Sequence, residues 1–90
     1  MNCDLTKPFL NDLEKLSDPT TKAEVKRAVL AVKNAMTLRD IPKLRKLKGR
    51  KKGIFYRIRV GNYRIGVTIE GDLVTFARCL PRKNIYRDFP

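Results

Sequence analysis

The residues of this chain best equipped for chemistry are arginines. Arg57 and Arg59 lie in the alternating stretch Ile54-Phe55-Tyr56-Arg57-Ile58-Arg59-Val60, and Arg64 lies in a second, Tyr63-Arg64-Ile65-Gly66-Val67-Thr68-Ile69. A period of two marks a β-strand, and the Gly61-Asn62 pair between the stretches marks a two-residue hairpin turn. With that turn Val60 faces Tyr63, Arg59 faces Arg64 and Arg57 faces Gly66, so the arginines share one sheet face. Ile54, Tyr56, Ile58 and Val60 pair with Tyr63, Ile65, Val67 and Ile69 on the other. Opposed like charges on neighbouring strands are unfavourable, by something on the order of 0.2–1 kcal/mol. An anion between them reverses the sign, because guanidinium binds phosphate oxygens bidentately. Gly66 opposite Arg57 leaves room for a ligand backbone. An anion site is therefore a stronger reading than a merely basic solvent face.

Other cations extend the candidate surface. Lys43 to Gly53 is a basic connection with Leu44 and Leu47 as anchors, and Lys48, Arg50, Lys51 and Lys52 make a phosphate-attracting lip. Arg78 falls on the core face or beside Arg64, depending on whether the turn after Ile69 holds two residues or three. Arg82, Lys83, Tyr86 and Arg87 follow Pro81. A tyrosine among cations can stack on a nucleobase, a contact of about 1–3 kcal/mol, although packing on the sheet is the plainer account of Tyr86 alone. Tyr56 and Tyr63 read as packing residues. Lys48, Arg50, Lys51, Lys52, Arg78, Lys83 and Arg87 form the expected nucleic-acid-binding set.

Composition removes several alternatives. The chain has no histidine, and Cys3 and Cys79 lack metal-ligand spacing. A zinc site, a Cys/His nucleophile pair and a Ser-His-Asp triad are thereby excluded, and no metal or cofactor is expected. The cysteines are expected to be free thiols, with Cys79 a small buried hydrophobe.

The elements that must position these residues are also legible. Ninety residues make one domain, 1–90, with 42% hydrophobic and 33% charged residues. Cys3 to Thr6 is a short first strand. Lys7-Pro8 opens a helix with Phe9, Leu10, Leu13 and Leu16 on one face. Asp18-Pro19 starts a second, with Thr21-x-x-Glu24 as an alternative start, and Val25, Ala28, Val29, Val32, Ala35 and Met36 form its stripe. Pro42 ends the helical region, and Leu73 to Leu80 is a third long strand. The fold class is α+β, an N-terminal helical hairpin packed on one face of a small antiparallel β-sheet. Residues 1–42 carry a charge of +1 and residues 43–90 the other +11 of the net +12, which points to a polyanionic partner. No apolar run approaches the roughly 18 residues of a membrane span, and no secretory signal opens the chain, so a cytoplasmic location is expected.

The segments Leu44-Arg45-Lys46-Leu47-Lys48-Gly49, Tyr56-Arg57-Ile58-Arg59-Val60-Gly61-Asn62-Tyr63-Arg64-Ile65 and Arg82-Lys83-Asn84-Ile85-Tyr86-Arg87 resemble the RelE/ParE toxin superfamily. The resemblance runs through nearly the whole chain, and its specific part is the central hairpin. It implies a RelE-like fold and the toxin of a type II toxin–antitoxin system. It implies a metal-independent endoribonuclease cutting mRNA on the ribosome, leaving a 2′,3′-cyclic phosphate and a 5′-OH, and held silent by an antitoxin. Arg57, Arg59, Arg64 and Arg82 match the family's catalytic basic residues, and Tyr86 matches its base-stacking tyrosine. Many relatives carry lysine in place of these arginines and histidine in place of Pro81, so weak or ribosome-dependent cleavage is implied. The alternative within the superfamily is a ParE-like, non-catalytic inhibitor of DNA gyrase.

Overall fold

A computed structural model of the chain describes residues 1–48 and 53–89. Its elements run β1 (Asn2–Leu5), α1 (Lys7–Lys15), α2 (Pro19–Asn34), a 3-10 turn (Leu38–Asp40), β2 (Leu44–Lys46), β3 (Phe55–Val60), β4 (Tyr63–Glu70), β5 (Leu73–Pro81) and α3 (Arg82–Asp88). The strands form one sheet in the order β1-β5-β4-β3-β2. The hairpin-linked strands are antiparallel, as expected, but β1 lies parallel to β5 at one edge and makes the sheet mixed.

Local chemistry sets the helices. Thr6 ends β1 and caps α1: its hydroxyl accepts from Phe9 N–H at 3.2 Å while donating to Phe76 O at 2.9 Å. Asp18 caps α2 by accepting from Thr21 N–H, and Pro19 occupies the first helical position. Phe9, Val25 and Val32 then meet Ile58, Ile65, Val67, Val74 and Phe76 of the sheet in the main core. Burying each such side chain is worth about 1.5–3 kcal/mol. Two residues expected on the helical stripes are not there. Leu10 is 45% exposed, and Met36, at 86%, lies past the capped end of α2.

Asp12 takes a buried place on α1 that periodicity alone did not offer it. Its carboxylate accepts from Arg78 Nε at 2.7 Å, from Arg78 Nη2 at 3.1 Å and from the Cys79 backbone N–H at 3.0 Å. Because β1 pairs with β5 only as far as Phe76, the carboxylate caps the β5 edge beyond it. Arg78, expected to contact RNA, is thus committed to an intramolecular ion pair. Its placement turns on a β-bulge, not on turn length. Gly71-Asp72 is a two-residue turn, but Gly66 pairs with Arg78 while Val67 pairs with Phe76, leaving Ala77 as an extra residue. The bulge reverses the alternation, so Phe76 and Cys79 both face the main core.

The face away from the helical hairpin is not open throughout. Leu47, Ile85 and Phe89 form a second small core there, with Phe55, Ala77 and Leu80 packed against it. Phe55 and Phe89 meet edge to face, with ring centroids 5.8 Å apart. The space above Gly66, expected to admit a ligand backbone, is filled by Phe89: a Cβ on Gly66 would stand 2.5 Å from that ring. The stretch read as a basic loop contains β2, whose Leu44 turns to the main core while Leu47 turns to the second one.

Asp12→Ala leaves Arg78 and Cys79 N–H without their acceptor. It is expected to destabilise the fold by about 2 kcal/mol, read as a lowered midpoint in urea. Gly66→Ala forces a methyl against Phe89 and is expected to cost about 1–3 kcal/mol. The double variant Gly66→Ala/Phe89→Ala should lose measurably less than the sum of its singles; strict additivity would show that the ring is not the obstacle.

Candidate anion-binding site

The β3–β4 hairpin aligns its arginines as the turn requires. Arg59 lies opposite Arg64 and Arg57 opposite Gly66. Gly61 adopts φ +55°, a backbone conformation that costs glycine least. Arg64 is only 8% exposed, and its Nη1 donates to Gly61 O and Tyr63 O, each at 2.8 Å. Those two bonds use both Nη1 protons, so Nε–H and the two Nη2 protons remain for a ligand. The Asn62 carbonyl accepts from Arg82 N–H at 2.8 Å. One turn therefore anchors both Arg64 and the start of α3.

The cations also bear on one another electrostatically. Burial, then the positive charge of Arg57, with smaller effects from Arg82 and Arg59, pulls the Arg64 guanidinium below its ordinary value, while Tyr86 opposes the shift. Arg57 is half-buried, Arg59 and Arg82 are exposed, and the Tyr86 ring is 50% exposed beside them. Among the described residues, the ion pairs are Arg78 with Asp12 and Arg87 with Asp88, and neither involves these four arginines. Guanidiniums gathered without a carboxylate partner among the described residues have the chemistry that holds an anion.

A further cation joins from a strand that sequence periodicity did not reveal. Arg45 on β2 lies directly opposite Arg57. The signal that could have found it is a short lysine-rich stretch after Pro42, the composition that sheet edges favour. Arg45, Lys46, Leu47, Lys48, Arg57 and Tyr86 line a groove of about 630 Å³. Asn62, Pro81, Arg82, Lys83 and Tyr86 line another of about 620 Å³. Lys48 and Lys83 thus border the site, whereas Arg87 is exposed with its Nε 3.7 Å from Asp88. Arg50, Lys51 and Lys52, also expected to contact RNA, lie outside the described residues.

Other chemistries find no support in the geometry. Desolvation pushes the buried Cys79 thiol up to about 12, so it stays protonated at neutral pH and is no nucleophile. Among the described residues no three His, Cys, Asp or Glu side chains gather as a metal site, and no helix is long and apolar enough to cross a membrane.

Residues 4–86 match the family described as the ParE toxin of the type II toxin–antitoxin system parDE. The chain is 40% identical over 85 residues to toxin RelE3 of Methanocaldococcus jannaschii, covering 93% of each. The toxin in the RelB–RelE antitoxin–toxin complex of Methanococcus jannaschii superposes with a TM-score of 0.79 at 36% identity, over 97% of this chain and 99% of that one. The RelE–RelB complex of Pyrococcus horikoshii gives a TM-score of 0.70 at 19% identity over 90% and 93%, a likeness of fold. Three helices on a mixed five-stranded sheet, an arginine hairpin and these matches lead to one assignment: the chain belongs to the RelE/ParE superfamily, as a RelE-type toxin of a type II toxin–antitoxin system.

Proposed function

We propose that this toxin is a metal-independent endoribonuclease that cuts mRNA in the ribosomal decoding site and is silenced by a cognate antitoxin. The observation that carries the reading is the cluster of Arg57, Arg59, Arg64 and Arg82 with no carboxylate partner among the described residues, beside the exposed Tyr86. In the reaction the ribose 2′-oxygen bonds to the adjacent phosphorus as the P–O5′ bond breaks, giving a 2′,3′-cyclic phosphate and a 5′-OH. The 2′-OH proton passes to water and the departing O5′ takes a proton from water.

Each residue has a role that its chemistry permits. Arg64, immobilised by two carbonyls, and Arg57 clamp the phosphate and offset the charge that builds in the transition state, the task for which preorganised donors contribute most. Arg59 stands nearest the 2′-OH and Arg82 nearest the leaving oxygen. Tyr86 stacks on a substrate base. Arginine stays protonated in proteins, so none of the four is a general base. The absence of imidazole supports slow intrinsic cleavage, with the ribosome supplying alignment. The RelB–RelE complexes of relatives support an antitoxin partner for this chain.

The ParE family match is the one observation favouring the gyrase-inhibitor reading. Induction of the chain alone separates the two. Growth arrest with 5′-OH mRNA ends is expected, whereas intact mRNA with DNA-damage signalling would establish gyrase poisoning instead. Arg64→Ala should reduce cleavage by about 100-fold or more, and exposed Arg59→Glu by a similar factor with an unchanged melting temperature. A folded Arg59→Glu protein that cuts at the wild-type rate would remove this site from the reaction.

A further inference from the structure

Among the described residues, Tyr86 is the one common to the two grooves bordered by the arginines. One groove is bordered by the cations Arg45, Lys48 and Arg57. The other is bordered by Arg82 and Lys83 and closed by the hairpin turn at Asn62. Along β3 the distance from Arg57 to that turn is roughly 13 Å at the usual rise per residue, and the opposed Arg59–Arg64 pair lies between. Cations thus border both grooves, and one aromatic ring lines the two.

Neighbouring bases in a stacked strand sit about 3.4 Å apart and leave no room for a side chain between them. A strand that uses both grooves and stacks a base on Tyr86 in place of its neighbour would be unstacked at that step. The side chains of the two grooves differ in what they offer a base. The β2–β3 groove presents cations around Leu47, groups suited to phosphate. The turn-side groove contains Asn62, whose carboxamide carries a donor and an acceptor side by side. Asn62 is exposed and engages the fold through its backbone carbonyl, which holds Arg82 N–H, so the side chain has no structural duty in that contact.

We propose that Asn62 is the base-reading residue of this toxin. In this assignment the turn-side groove is a nucleobase subsite that prefers adenine, whose N6 and N7 match a carboxamide bidentately. The proposal rests on the ribonuclease reading for its substrate class. It deepens that reading by separating the phosphate contacts, which are blind to sequence, from one contact that is not.

The test is equilibrium binding of the purified full-length chain to four fluorescein-labelled 2′-O-methyl tetranucleotides, all-A, all-C, all-G and all-U, which lack the attacking hydroxyl. A twelve-base-pair RNA duplex serves as a fifth probe, and all five are measured at one fixed salt concentration. The wild-type chain should bind the A probe about tenfold more tightly than the U probe, toward the low end of what a bidentate amide–base contact discriminates. Asn62→Ala should flatten that ratio to near one. Asn62→Asp should weaken binding of all four, because it adds a negative charge, and should move C to the top of the order, because a carboxylate accepts from cytosine N4. Thermal melting of both variants checks that the turn is intact. Retention of the wild-type order in either folded variant, or duplex binding as tight as that of the best single strand, overturns the proposal. Asn62-dependent ordering in a chain that leaves cellular mRNA intact would overturn the ribonuclease reading and leave this one standing.

Discussion

Withdrawing a guanidinium from water costs several kcal/mol unless its N–H groups find acceptors, and surrounding it with other cations raises the cost further. Arg64 bears both burdens. It is buried, and Arg57, Arg82 and Arg59 all act to lower its proton affinity. What offsets this within the fold is the pair of carbonyls from Gly61 and Tyr63, which hold one end of the guanidinium and leave the other end facing the cluster. The arrangement leaves the cluster short of negative charge among the described residues, which is the basis on which a phosphate is proposed to complete it. The hairpin turn, the glycine within it and the anchoring of α3 at Asn62 all serve to keep this one charge where it is.

The sheet separates support from chemistry by face. The helical hairpin covers one side with a continuous core, and the second side is shared between a small hydrophobic cluster and the arginines. Asp12 joins the two by capping the β5 edge and fixing Arg78 just after the bulge. That contact secures the end of β5, from which Arg82 and Tyr86 of α3 follow directly. A carboxylate is thus present in the neighbourhood, but it is consumed by a cation outside the cluster.

Legibility in the sequence followed the range of the forces involved. The β3–β4 register was readable because a two-residue turn fixes pairing by local geometry, and Asp18-Pro19 located α2 for the same reason. The parallel partner of β1 was not readable, since nothing local to Asn2–Leu5 encodes a strand about seventy positions away. The face of Arg78 was undecidable because a bulge at Ala77 adds one residue without any glycine or proline to announce it. Arg45 was missed because Leu44 and Leu47 anchor opposite faces of the sheet, so the intervening residues show no alternation. Tyr86 reads as a base-stacking candidate among cations or as a ring packed on the sheet, and the choice is not local, because its exposure and its share in two grooves depend on how α3 docks.

The parallel pairing of β1 with β5 has a consequence for the order in which the molecule acquires its parts. Helices and hairpins form quickly because they close short loops, whereas joining the first strand to the last pays the entropy of a loop nearly as long as the chain. The Arg59–Arg64 pair belongs to the early, local category. Arg82 and Tyr86 belong to the late one, since β5 must be seated between β4 and β1 before α3 is held. A chain caught midway would already display two arginines and still lack Arg82 and Tyr86, so the cluster is completed only once the two ends of the chain have met.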